Sequence, residues 1–356
     1  MLRRERLGGV LLNAQHNFAW ITGGSSNGVD LSRENGVASI FITKDGRRFL
    51  LANSIEMPRL LAEEVSAEDF EPVEFAWQDE KASPDFLIEL ARRLASGEIA
   101  TDISIHPQTP AIESSVSRCR HELTSEEAER FKELGRDAGL VMQAVAVRVA
   151  RGQTEIEIAE IMRAELAAAA MISVVTLVAA DERISKFRHP VPSDNRWNKL
   201  LLLVTCAKRG GLIASLSRIV CIGDVPDDLQ RKTEAAACVN ARLIAATRPG
   251  VCGAELYKTA AEAYLEQGFA DEINNHHQGG AAGYKTREWV AHPKSSEIVK
   301  QNQAFAWNPS ITGTKVEETI IVTASGAEVI TASPNFPSIS TEVDGRSYFS
   351  PGILSI

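Results

Sequence analysis

Several things are scarce in this chain of 356 residues. There are five cysteines, at positions 119, 206, 221, 238 and 252, an odd number with no CxxC pair. That excludes a disulfide framework and the common zinc ribbons. Cys206 and Cys221 sit in apolar, strand-like runs, so they read as buried thiols in a reducing cytoplasm. No run of eighteen apolar residues occurs, so no membrane-spanning helix is expected. The opening MLRRERLGGVLLNAQ carries only Val10–Leu12 as an apolar stretch, too short for a secretory core. Positive charge is in deficit: the net charge is -9 and no Lys/Arg stripe is visible, which argues against nucleic acid as a partner. Aspartate is missing altogether between Asp194 and Asp224.

What is present is the composition of a globular protein, 44% hydrophobic and 24% charged, long enough for two domains. GGVLLN (8–13), GVASIFITKDGRRFLLAN (36–53, turning at Lys44-Asp45-Gly46) and EIATDISI (98–105) read as strands. IEMPRLLAEEV and SPDFLIELARRLA read as amphipathic helices, the second with Ser83 as cap and Pro84 at its first position. This predicts a small α/β domain over 1–120. HPQTPAIESSVSRCRHEL (106–123) has no clear period and reads as a connection. Thr124 and Glu127 form a capping box opening a long helix to about Val149.

A second domain, 124–356, repeats itself weakly. VARGQTEIEIAEIMRAELAAAA (149–170) resembles TRPGVCGAELYKTAAEAYLEQG (247–268), each a glycine turn followed by an amphipathic helix. A histidine-bearing loop and β-rich runs follow each copy; the β-rich runs cover 199–207, 216–223, 303–313 and 316–330. The period, near one hundred residues, suggests two α+β halves around a cleft.

Three stretches then stand in order: FRHPVPSDNR (187–196), HHQGGAAG (276–283) and KVEETIIVT (315–323). Together they resemble the creatinase/aminopeptidase P/prolidase superfamily over the whole chain. The resemblance implies an α+β pita-bread C-terminal domain of two pseudo-symmetric halves, preceded by a smaller α/β creatinase N-terminal-like domain. Peptidases of that family hold two divalent metals with two aspartates, a histidine and two glutamates. The matching positions here are Val204 or Thr205, Ser215, Gly280, Asn308 and Glu317. One anionic ligand of the set remains, so no metal and no other cofactor is expected. Two dications close together need several anionic oxygens.

The resemblance to creatinase, the metal-free member, implies a hydrolase of a C–N bond in a small carboxylate-bearing substrate. It implies catalytic roles for His189 as proton shuttle, for His276 and for Glu317. It implies substrate-binding roles for Arg287, Asn308, Ser215 and His277. Arg218 matches a scaffold arginine, and Glu318 is expected on the strand face opposite Glu317. Two other readings stay open at this point: an Xaa-Pro aminopeptidase or dipeptidase with an unconventional metal site, and a non-catalytic binding protein on the same fold. A homodimer in the cytoplasm is the expected state, with a small-molecule substrate as partner.

Overall fold

The computed structural model describes residues 1–356, which divide into two compact units, Met1–Arg120 and His121–Ile356. In the first unit five strands form one sheet, in the order Glu71–Phe75, Arg48–Asn53, Asn35–Thr43, Gly9–Ala14, Ile99–Thr101. Its strands read as nearly continuous apolar runs because both faces are covered. Val10, Leu12, Ile40 and Leu50 pack into one apolar cluster, while the alternate residues Leu11, Phe41, Phe49 and Leu51 pack into another.

Two expectations fail here. Ser83 does not cap a helix start. A short helix, Trp77–Ala82, ends at it, and the next helix begins only at Phe86 after Asp85. The stretch 106–123 is not all connection: Glu113–Arg120 is helical. That helix lacks an apolar stripe, with Val116 and Arg120 as its buried residues. It is held by polar contacts instead, Arg120 Nη1 donating to Asn17 Oδ1 at 2.5 Å and Nη2 pairing with Glu113 at 2.8 Å.

The second unit consists of two halves of like construction. In the first, helices Ser125–Arg148 and Glu155–Ala168 are each opened by a capping box, Thr124 with Glu127 and Thr154 with Glu157. They accompany a sheet ordered Ile353–Ser355, Leu212–Cys221, Leu200–Arg209, Ile172–Ala180. In the second, helices Asp227–Ala246 and Gly253–Glu266 accompany a sheet ordered Trp289–Val290, Gly279–Ala282, Ala304–Trp307, Glu318–Thr323, Gly326–Val329. Phe305 stacks on Trp307 and meets Trp289 edge-on inside this second core.

The halves are joined where the strand Leu212–Cys221 meets the segment around Glu318. The Ser215 amide donates to Thr319 Oγ1, whose hydroxyl donates back to the Ser215 carbonyl, both at 2.8 Å. The Ser217 amide donates to the Glu317 carbonyl at 3.2 Å. This seam fixes Glu317 over the floor of the first sheet.

Candidate active site

The floor comes from the hairpin Leu200–Arg209 and Leu212–Cys221. Val204 lies opposite Ser217, and Cys206 opposite Ser215. Residues directly paired across antiparallel strands share a face, so these four side chains form one surface. Thr205 points the other way, to the Ser173 hydroxyl at 2.8 Å. Of the two residues that match the first aspartate, the structure therefore selects Val204. Ser215 is fully buried and its hydroxyl donates to Cys206 Sγ at 3.2 Å. Its hydroxyl is thus spent within the sheet face it lies on. All five cysteines are free thiols.

Above the floor stands Glu317, 2% exposed. Arg287 Nη2 donates to its Oε1 at 3.2 Å. Lys315 Nζ stands 3.0 Å from Oε2, as an ion pair off the hydrogen-bond direction. Burial pushes the carboxyl pKa up, but Lys315 and Arg287 outweigh it and hold the group below the ordinary glutamate value. Glu318 faces away, paired with Arg218 at 3.1 Å and accepting from the Thr331 hydroxyl. Burial raises its carboxyl to about 7 despite Arg218. Arg287 thus reaches Glu317, and its Nε is buried without a partner.

The three histidines converge. His189, in the loop after Arg183–Lys186, meets His276 with Nε2 atoms 3.1 Å apart. The His276 and His277 rings stack at 4.4 Å, and the His189 and His277 centroids are 6.3 Å apart. His276 Nδ1 is buried and unpartnered. Burial, then Lys315, lowers His276 to about 2. Burial, then Arg287, lowers His277 to about 4. His189 is lowered too, by burial and then Lys315, with Glu317 opposing. All three shifts favour the neutral ring.

Three contributors were not singled out from the sequence. Lys315 is one, although it stands two residues before Glu317 in an extended segment, the spacing that puts both on one side. Tyr264 and Gln278 are the others. Tyr264 Oη donates to Gln278 Oε1 at 2.7 Å and accepts from the Ser310 amide at 2.9 Å, tying the histidine loop to the turn after Trp307. Nothing in the local sequence advertises that clamp. Asn308 lies on this turn, its amide donating to the Gln278 carbonyl at 3.0 Å. Its Oδ1 and the Ser310 hydroxyl are buried and unpartnered.

Larger cavities lie elsewhere, one of about 410 Å³ beside Arg218 and Phe336 and one of about 550 Å³ in the first unit. Neither holds the histidines. A small recess touches His276, walled also by Arg188, Ser310 and Lys315. Convergence of titratable groups, not volume, marks the site.

The ligand set for two dications does not fit. Val204, Ser215, Gly280 and Asn308 offer no anionic oxygen, and both oxygens of Glu317 already face cations. Gly280 is also closed off: a Cβ built there would lie 2.1 Å from the Trp289 carbonyl oxygen. The three imidazoles offer nitrogens within 4.8 Å of one another, a set suited at most to one borderline-soft ion.

The family model for metallopeptidase family M24 matches residues 129–324. The Xaa-Pro dipeptidase of Pyrococcus furiosus is 25% identical over 219 residues, spanning 58% of this chain and 62% of that protein. The chain thus matches less than two thirds of that relative's length. Among solved structures, the Xaa-Pro dipeptidase from Bacillus anthracis superposes with a TM-score of 0.77 at 19% identity, covering 94% of this chain and 95% of its own. The X-Pro aminopeptidase from Thermotoga maritima gives 0.76 at 17% identity, covering 100% and 97%. The fold is the pita-bread fold, and the chain belongs to metallopeptidase family M24.

Proposed function

We infer that this chain is a metal-independent hydrolase of a C–N bond in a small, carboxylate-bearing substrate. The observation that carries this reading is Glu317 clamped between Arg287 and Lys315, beside a neutral histidine pair. Two side-chain cations hold the carboxylate that a dinuclear site would require. His189, an exposed titratable ring, lies within reach of their charge.

His189 is the proton carrier. With its Nε2–H donating to His276 Nε2, its Nδ1 lone pair is free to take a proton from water attacking the carbonyl carbon. The resulting imidazolium is steadied by Glu317, whose charge favours the protonated ring. The same Nδ1–H then protonates the leaving nitrogen as the C–N bond breaks. Arg287, with its unpartnered Nε, receives the substrate carboxylate. Lys315 offers positive charge to the oxygen on which negative charge develops.

The test is amine or ammonia release from a panel of small amide and ureido acids, with and without chelator. Chelator-insensitive hydrolysis, reduced about 100-fold or more in His189→Ala, is expected. Manganese-dependent cleavage of an Xaa-Pro dipeptide, abolished by chelator, would overturn the reading.

A further inference from the structure

The charges acting on the three imidazoles are Lys315, Arg287, Arg188 and Glu317. Glu272 joins them through Arg188, Nη2 to Oε2 at 2.5 Å. Three cations against two carboxylates leave the cluster at +1, with the histidines neutral. Each carboxylate already faces a cation of the protein itself. Glu317 holds Arg287 and Lys315. Glu272 holds Arg188, the Asn275 side-chain amide at 3.0 Å and the Thr312 backbone amide at 2.9 Å. The buried groups of this cluster without a hydrogen-bond partner are one cationic donor, Arg287 Nε, one anionic acceptor, Glu317 Oε2, which faces Lys315 at 3.0 Å as an ion pair, and the neutral His276 Nδ1, Asn308 Oδ1 and Ser310 Oγ.

From this we propose that the site selects substrates whose nitrogen is uncharged: N-acyl acids of net charge about -1, rather than free dipeptides, amino acids or guanidino acids. A free α-ammonium or guanidinium would meet Lys315 and Arg287 with no carboxylate to receive it. Like charges brought together in a partly desolvated site are a strong rejecting device. An acylated nitrogen removes that repulsion and keeps the carboxylate for Arg287. It also presents an amide N–H and carbonyl to the neutral groups around Asn308 and Ser310. The depressed histidine pKa values accord with this, since nearby cations contribute to each.

This rests on the hydrolase reading for its chemistry, though not for its binding preference. The step it implies is balanced. Water adds oxygen to the acyl carbon and the C–N bond breaks. The water proton passes through His189 to the nitrogen, so a carboxylic acid and an amine leave, with no oxidant or second substrate.

The experiment is calorimetric binding to the chain of N-acyl acids matched except for an ammonium on the acyl group. Each of glycine and alanine is compared as its N-acetyl and its N-glycyl derivative. Within a pair the acetyl member is expected to bind at least about 100-fold more tightly. Lys315→Met should shrink that ratio and Glu317→Gln, which removes a negative charge, should widen it. The opposite signs keep the test meaningful if one variant folds poorly. Equal or tighter binding of the glycyl members, or no saturable binding of any acetyl acid, overturns the proposal. Acetyl acids that bind but are never cleaved would sustain this preference while sinking the hydrolase.

Discussion

At His189 the protonation state is set by burial and Lys315 on one side and by Glu317 on the other, with a net lowering of the pKa. A base must be neutral to work, so kcat/KM should stay flat through neutral pH and fall only on the acid side of about 6.5. Glu317 favours the imidazolium. Glu317→Gln should therefore move the acid limb to still lower pH, as read from the pH–rate profile. A limb moving upward would contradict the assignment. His276 and His277 carry a second consequence. Their folded pKa values of about 2 and about 4 lie below the unfolded value of 6.5. Above pH 6.5 neither state binds the protons. Below it the unfolded chain takes them and the folded chain does not, so stability falls from about pH 6.5 toward 4 and beyond. Thermal midpoints measured across that range should decline, and more gently in His276→Gln. A flat profile would show that these rings are not held neutral.

At the level of elements, the loop His276–Gln278 and the strand Gly279–Ala282 decide what the site can hold. Gly280 packs its α-carbon against the Trp289 carbonyl, leaving no room for a side chain. Gly280→His, which would restore the missing family ligand, should therefore cost about 2 kcal/mol or more in chemical denaturation. A neutral effect would mean that the neighbouring strand yields easily. Much of this level was legible. The capping box at Thr124 fixes a helix start through local hydrogen bonds that a few residues spell out, and the box at Thr154, which was not singled out, follows the same pattern. Period-two alternation separates Glu317, facing Arg287, from Glu318, facing Arg218. What escaped depends on contacts remote in sequence. Helix Glu113–Arg120 is held by Asn17, which lies 103 residues from Arg120. The Tyr264–Gln278–Ser310 clamp joins three separate elements. Lys315 escaped for a different reason: a lone lysine reads as a solvated charge until its neighbour Glu317 is known to be buried.

At the scale of the whole molecule, the second unit is built of two halves, and Glu317, buried near their seam, has its charge met by side chains of the protein itself. Membership of a metallopeptidase family is compatible with so few acidic groups at these positions, because the halves are held by hydrogen bonds and by the buried Arg218–Glu318 pair. The seam at Ser215, Ser217 and Thr319 needs no ion to form. The measurement that tests this most directly is the divalent-metal content of the chain after equilibration with manganese, zinc or cobalt, in the wild type and in Glu317→Gln. The account predicts no more than one ion per chain, retained equally by the variant, because only the imidazole cluster could hold it. Two ions per chain, lost in Glu317→Gln, would contradict it and place a dinuclear centre where Lys315 and Arg287 now meet the carboxylate.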